Sequence, residues 1–381
     1  MIKFIHYKIA DFCKIEKGKF SATKTPSGKF PLIVTAEERL TSNSFQFDTE
    51  AVCIPLVSST GHGHASIKRI HYQKGKFALA SILVALIPDP KICRPKYLFH
   101  LLNLQKNEYL VPLMRGSANV TLQLKDLSNL ELPIPSISDQ EKIISIMERL
   151  HELIFKSIKR DQLIHLLEES IFINIFGDPI SNPKKWQTGE LKNYTNLITK
   201  GATPTTYGFD WQSEGIIFLR SECITLDGVN LQGSKMISEE AHQFMKRSYI
   251  IPNDVLIRIT GDVGTACTFP EKLKIANINQ HIARIRIIIP DILPEYLCSM
   301  FNTKSYLIHL RGITSGVTHP HLSLKQIREC KIPIPPKKLQ EDYGFIVKKI
   351  KSVVKKQDEH FEFIYKLVTS ITHGTILNGV S

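Results

Sequence analysis

The sequence predicts an α+β protein: two globular α/β domains in tandem repeat, each followed by a long helix, with the two helices pairing as an antiparallel coiled coil. Three observations carry that prediction. The chain has a collinear internal repeat, short β-branched runs punctuated by Gly, Pro, Asn and Ser, and two long apolar stripes at helical spacing. The repeat is clearest where Leu132-Pro133-Ile134-Pro135 is matched by Ile332-Pro333-Ile334-Pro335, each followed by Gln-Glu, at 140–141 and 340–341. Upstream, Leu122-x-Leu124-Lys125 answers Leu322-x-Leu324-Lys325 at the same offset of 200. Tyr97-Leu98 with Asn103 answers Tyr296-Leu297 with Asn302 at an offset of 199. Arg115-Gly116 pairs with Arg311-Gly312, Thr60-Gly61 with Thr260-Gly261, and Lys17-Gly18 with Lys200-Gly201. Any one match is within reach of chance; their common order along a whole unit is not.

Residues 1–136 and 184–336 read as the two domains. Ala51–Val57, Asp254–Ile259 and Ile282–Ile289 are apolar runs of strand length between turn residues, with short helices among them such as the one around Tyr296–Asn302. Residues 137–178 read as the first long helix. Ser138-Asp139-Gln140-Glu141 offers an N-cap and an acidic first turn. Apolar positions follow at Ile143, Met147, Leu150 and Ile154, then at Ile164, Leu167, Ile171 and Ile175. Gly177-Asp178-Pro179 supplies the stop. The second helix, 337–376, carries Ile346, Ile350, Val353, Phe361, Ile364, Leu367 and Ile371 on its stripe. A helix of ~38 residues is about 57 Å long and cannot bury a narrow stripe alone, so its own duplicate is the expected partner. Ser157, Asp161 and Gln357 interrupt the stripes midway, either to set register or as a solvated stretch.

Composition narrows the function. Hydrophobic residues at 43% and charged residues at 22% are those of a globular protein, but a formal net charge of +13 implies an acidic partner. No apolar run is long enough to span a bilayer, and Met1–Tyr7 lacks the apolar core of a signal peptide. Seven scattered cysteines without a CxxC pair read as reduced thiols in a cytoplasmic protein, not as disulfides or a zinc site. Two similar domains held apart suit a bipartite target, and duplex DNA presents its major groove on one face at intervals of about 34 Å. The copies differ widely outside the matched positions, so the target is expected to be asymmetric.

Several motifs together resemble the specificity subunit of type I restriction–modification systems. They are Pro333-Ile334-Pro335-Pro336-x-x-x-Gln340 with its echo Pro133-Ile134-Pro135-x-x-x-x-Gln140, Phe176-Gly177-Asp178-Pro179 leading to Trp186, and Thr199-Lys200-Gly201-Ala202-Thr203-Pro204. The resemblance covers essentially the whole chain. It implies two target-recognition domains, each reading half of a bipartite site on double-stranded DNA, and paired helices that act as spacer and as docking surface for two methyltransferase subunits. It implies that this chain binds no cofactor: S-adenosylmethionine belongs to the modification subunits, ATP and Mg to the restriction subunit with its translocase. The first domain departs from the pattern, with Gly18-Lys19-Phe20-Ser21 where the second has Gly201-Ala202-Thr203-Pro204.

Candidate DNA contacts lie in matched loops. Thr199–Thr206, with Lys200, Thr203 and Thr205, is rich in small hydroxyls suited to phosphate, as are Lys17 and Lys19 in the first domain. Ser58, Ser59, Thr60, His62 and His64 follow a strand of the first domain, and Thr260 and Asp262 follow one of the second. Different side chains on a shared loop are what two different half-sites require, because base edges are distinguished by donor and acceptor pattern. Arg115-Gly116-Ser117-Ala118-Asn119 answers Arg311-Gly312-Ile313-Thr314-Ser315, which leads on to His319 and His321; arginine pairs well with guanine and asparagine with adenine. Equally, each arginine can lay its stem on a strand as an ordinary surface residue. Arg220-Ser221-Glu222 and Gln280-His281 carry a weaker signal. His62-x-His64 lacks further ligands at metal spacing.

Enzyme motifs are missing. Asn182-Pro183-Lys184-Lys185-Trp186 lacks the second Pro of an adenine methyltransferase motif and reads as the turn after the helix. Glu190-Leu191-Lys192 has no nuclease Pro-Asp at a fitting distance, and no P-loop occurs. A non-catalytic subunit is expected. The recognition subunit of a related type II assembly and a basic protein-binding scaffold remain alternatives.

Overall fold

Alternation along one strand sets the core of the first domain. In the computed structural model the strand Phe47–Pro55 turns Val52 and Ile54 towards helices and Ala51 and Cys53 towards the opposite face, all four fully buried. An apolar run of that kind fits only a strand covered on both sides. The structure describes residues 2–36, 38–60, 63–117, 119–316 and 320–377, with side chains to 359. The chain divides into two units, one of Met1–Lys156 with the residues from Glu359 on, the other of Ser157–Asp358, so the division falls inside each long helix.

In the first unit six strands hydrogen-bond in the order Cys13–Lys17, Leu83–Pro88, Phe47–Pro55, His71–Leu79, Phe30–Ile33, Leu40–Ser42. All neighbours are antiparallel except His71–Leu79 with Phe30–Ile33. Ile143, Met147 and Leu150 of the first long helix join Tyr97, Leu98 and Leu101 in the core on one face of this sheet. Strand Glu131–Pro135, which carries the Pro-Ile-Pro sequence, pairs only with Phe4–Lys8, so its prolines remove no inner ladder bond.

The second unit repeats this register with interruptions. Val255 faces Ile285 as Val52 faces Leu86, and Lys200 faces Ala283 as Lys17 faces Val84. One sheet runs Thr195–Lys200, Ile282–Ile287, Val255–Arg258, Ala266–Thr268; another runs Lys235–Ile237, Ile216–Leu219, Ala276–Ile278, Tyr249–Ile250. Where the first unit has one strand, His71–Leu79, the second has Ala266–Thr268 and Ala276–Ile278 with a loop between. Asp254, buried before Val255, receives two hydrogen bonds from Arg286 at 2.7 and 2.6 Å and ties the neighbouring strands Val255–Arg258 and Ile282–Ile287 together. Neighbouring Arg284 is buried, and burial pushes its pKa down to about 10.

The long helices span Ile137–Phe176 and Lys337–Leu377. The first is capped two residues earlier than its sequence suggested: Ser136, not Ser138, accepts from the Asp139 amide at 3.3 Å and donates to its carboxylate at 2.8 Å. Its stop is as expected. Gly177 takes φ 80°, and the freed carbonyls of Asn174, Ile175 and Phe176 accept from the Lys184 ammonium and the Trp186 indole. The Asn182–Trp186 segment is thus the helix cap.

Within the second unit the helices pair antiparallel: Phe172 and Phe176 pack edge-on around Tyr343, while Arg160 reaches Gln357 and Asp358. The expected stripes hold in part: Ile143, Met147 and Leu150 are buried and Ile154, Ile164, Ile171, Ile175 and Ile350 half-buried, but three positions turn outward. Leu167, Ile346 and Val353 are 49%, 37% and 58% exposed, whereas Phe172, Phe176 and Tyr343 are buried. Apolar residues occupy more of each helix than one stripe, and the large aromatic rings win the inner face because they remove more surface from water. The midway polar residues form a cluster in which Arg160 joins Ser157, Asp161, Gln357 and Asp358. Phe361, Ile364, Leu367 and Ile371 lie outside the described side chains.

Burial also makes the first unit acid-sensitive. His100, packed 5.4 Å from the His151 ring, has its pKa lowered from 6.5 to about 4 by burial and then by His151. Being neutral when folded, it leaves stability intact above pH 6.5 and withdraws it as pH falls from 6.5 towards 4, by on the order of 3 kcal/mol in all. His71 is shifted in the same direction, also by burial first. We expect the denaturation midpoint of the chain to fall between pH 7 and 5, and His100→Leu to flatten that slope; an unchanged slope would exclude His100.

Candidate nucleic-acid interface

Strand direction gathers the candidate loops. In the first unit Cys13–Lys17 and Phe47–Pro55 both run antiparallel to Leu83–Pro88, so both end beside Leu83, Lys17 opposite Val84 and Pro55 opposite Leu83. Lys17 and Lys19 leave from one strand and Ser58–His64 from the other. Arg115–Asn119 is fastened to the same edge, because Ser58 donates to the Val120 carbonyl at 2.9 Å and Val57 bridges Thr121. In the second unit the same edge collects Lys200 opposite Ala283, Thr260–Asp262 beyond Arg258, and Gln280-His281 ahead of Ile282. Thr260 bridges His321, which bridges Ser315, so the Arg311–Thr314 segment closes the group. Arg220 follows strand Ile216–Leu219, whose last carbonyl accepts from the Asn279 amide, and pairs with Glu222 at 3.0 Å. Thr205 lies exposed in the short 3-10 turn after Pro204. His62 and His319 lie outside the described residues.

The Lys-Gly pair is the fixed point of both edges. A side chain on Gly18 would strike the carbonyls of Leu79 and Ala80, and one on Gly201 those of Ile278 and Asn279. Only glycine lets the two backbones touch there. The Thr60–Thr260 equivalence fails, however. Leu56 accepts from Leu122 and Ile259 accepts from Leu322, each at 2.9 Å, so Val57 answers Thr260 and the apparent match is three residues out of register. Backbone pairing decides equivalence, and a Thr-Gly dipeptide in a loop is too short to report it.

With the register corrected, the two edges differ in kind. At the four positions Val57, Phe20, Ser81 and Ile82 the first unit is mostly apolar, and Ile82 is 38% exposed. Their counterparts Thr260, Thr203, Gln280 and His281 form a hydrogen-bonded chain. Thr203 donates to the Gln280 side-chain oxygen Oε1, Gln280 Nε2 lies 3.2 Å from His281 Nε2, and His281 Nδ1 lies 2.7 Å from the Thr260 hydroxyl. With the amide donating to Nε2, the Nδ1 proton goes to Thr260. Both ring nitrogens are engaged, so His281 fixes the orientation of its two neighbours. The sequence had given it only weak weight, although aligning Gln280-His281 with Ser81-Ile82 at the offset of 199 would have exposed the contrast.

Other candidates are turned inward. Ser58 donates to the His64 carbonyl at 2.6 Å, Thr60 donates to it at 3.1 Å, and Ser59 accepts from the Lys68 amide at 2.9 Å, so these hydroxyls shape their own loop. Arg311 and Asp262 are brought together as partners of each other, 2.8 Å apart. Asp262 also receives Thr265 at 3.1 Å and has Arg258 at 3.5 Å, which makes it the lock of its hairpin. Arg115, by contrast, is largely exposed with Asp126 3.9 Å away, and Asn119, His64, Lys17, Lys19 and Lys200 are exposed. All seven cysteines are buried and unpaired, burial pushing the Cys53 and Cys93 thiols up to about 12. Among the described residues no His, Cys, Asp or Glu group could hold a metal, and no helix is long and apolar enough to cross a membrane.

Two copies of one mixed domain, each with its loops drawn to one sheet edge and each joined to a long helix, define a tandem recognition protein. The family can be stated outright: the sequence profile described as "Type I restriction modification DNA specificity domain" matches residues 1–168 and again 183–376, and the chain belongs to that family. Among relatives, it is 24% identical over 277 residues to the type I restriction enzyme MjaIX specificity subunit of Methanocaldococcus jannaschii. That match covers 66% of this chain and 61% of the relative. The MjaVIII specificity subunit of the same organism is 22% identical over 392 residues, covering 96% and 90%. In fold, the chain is similar to the type I restriction–modification S subunit from M. genitalium, with a TM-score of 0.54 at 15% identity, covering 97% of this chain and 95% of that one.

Proposed function

We propose that this chain is a DNA specificity subunit that reads an asymmetric bipartite site and directs methyltransferase subunits, and with them restriction subunits, to that site. The observation that carries this reading is the pair of equivalent sheet edges. Both keep the Lys-Gly platform at 17–18 and 200–201, yet one presents Val57 and Ile82 where the other presents Thr260 and His281. Common scaffolding with divergent chemistry suits two unlike half-sites, while lysines and backbone amides at the edges suit phosphate. The net charge of +13 favours the same partner.

The helices fit the assembly role. On the part of the first long helix that lies in the second unit, Ile158, Leu163 and Leu166 are 54%, 56% and 61% exposed, more apolar surface than an unpartnered helix keeps in water. Modification subunits would cover these residues, bringing S-adenosylmethionine with them, while ATP and Mg would act on the restriction subunit. Mapping methylated bases genome-wide in cells that carry this chain and its partner subunits tests the whole reading. A split, asymmetric motif is expected, and DNA affinity should fall on the order of 10³-fold between 50 and 200 mM salt. A symmetric or undivided motif, or methylation by the purified chain alone, would overturn it.

A further inference from the structure

Beside the first edge lies a feature that the loops do not explain. Gln46 is clamped to the Lys17–Lys19 turn, donating to the Lys17 carbonyl at 2.9 Å and accepting from the Lys19 amide at 3.0 Å. The preceding residue, Phe45, stays 42% exposed and packs on Phe30, ring centres 5.0 Å apart and tilted by 60°. Two ammonium groups stand over this pair: Lys29 5.2 Å from the Phe30 centre and Lys76 4.9 Å from that of Phe45. Phe30 begins a strand and Phe45 sits two residues before another, so the rings are held by the sheet.

The same connection carries aromatics in the second unit. Phe45 lies between strands Leu40–Ser42 and Phe47–Pro55; its topological counterpart, the link between Lys235–Ile237 and Tyr249–Ile250, holds Phe244. Phe244 is 61% exposed and packs on Tyr207, itself 50% exposed, at 5.3 Å. Tyr207 ends the turn that begins one residue after Thr203 of the polar chain. An exposed phenylalanine packed on a second aromatic ring thus recurs on the same connection in both domains, next to the edge assigned to DNA, with the second ring supplied by a strand start in one and by a turn in the other.

We propose that these aromatic pairs are stacking contacts for DNA, with Phe45 placed against a base step and Lys29 and Lys76 on the flanking phosphates. The proposal rests on the DNA-reading function above. Its chemistry singles out nucleic acid: a base offers a π face to the ring while the adjoining phosphate offers a counter-charge to the ammonium. An apolar protein surface would desolvate both lysines with, among the described residues, only Asp48, 4.0 Å from Lys76, to compensate.

The test uses the full chain and a short fluorescein-labelled duplex of mixed sequence. Phe45→Leu keeps the apolar volume and removes the π face; it should bind roughly tenfold more weakly with an unchanged salt slope, while Lys76→Gln should lower the slope. Phe45→Trp should keep its affinity, and its added emission should be quenched by the duplex but not by heparin, a polyanion without bases. Wild-type affinity in Phe45→Leu, or equal response of Phe45→Trp to heparin and DNA, overturns the stacking contact while leaving the DNA reading intact. So does a Phe45→Leu chain that binds duplex normally yet no longer co-purifies with modification subunits, since the patch would then be a protein interface. Failure of the wild-type chain to bind any duplex would remove both proposals.

Discussion

Replacing Gln340 with Leu is expected to lower the stability of the second unit by about 3 kcal/mol or more. The side chain is 1% exposed and fully used: Oε1 accepts from the Leu293 amide at 2.9 Å, and Nε2 donates to the carbonyls of Asp291 and Pro335 at 2.7 and 2.8 Å. Leucine fills the space but leaves three backbone groups without partners, and each costs about 1–3 kcal/mol where water cannot reach. Gln140 makes the same three bonds in the first unit, to the Arg94 amide and to the carbonyls of Ile92 and Pro135. The Pro-Ile-Pro-x-x-x-x-Gln motif is therefore a clasp that ties the first turn of each long helix to its domain. Tyr97 and Tyr296 reinforce it by donating to Pro133 and Pro333 at 2.9 and 3.0 Å. Thermal or denaturant unfolding of Gln340→Leu measures the effect; a loss under about 1 kcal/mol would mean that the orphaned groups find other partners.

The second large effect concerns specificity. His281→Ala should relax the half-site read by the second unit roughly tenfold to a hundredfold, the discrimination carried by one well-made polar contact, and leave the other half-site unchanged. Without the ring, the Gln280 amide and the Thr260 hydroxyl lose the partner that fixes which end of each faces outward. The reciprocal change, Ile82→His, should create no matching preference, because Val57, Ser81 and Phe20 cannot complete the chain. Methylation mapping of both variants with the same partner subunits decides the matter. Equal relaxation of both half-sites by His281→Ala would reassign the network to stability.

Much of this protein was legible in the sequence because local chemistry is repeated twice. The Pro-Ile-Pro strands, the Lys-Gly turns, the Gly177 stop and the glutamines after Pro-Ile-Pro are short sequence signals, and duplication raised them above chance; only the Gly177 stop has its physical reason within a few residues, the others being held by partners far along the chain. The copies, their long helices and the family resemblance followed from those positions. The tertiary structure decided three things that lie across the chain. Ladder hydrogen bonds set Val57 against Thr260, which no run of identities near Thr60 could reveal. The buried rings of Phe172, Phe176 and Tyr343 chose the inner helix face from among several apolar rows. Spatial partners turned Arg311 and Asp262 towards each other and linked Thr203 to Thr260 through Gln280 and His281. Sequence reports what each residue can bond; which bond it makes depends on neighbours that only the fold brings within reach.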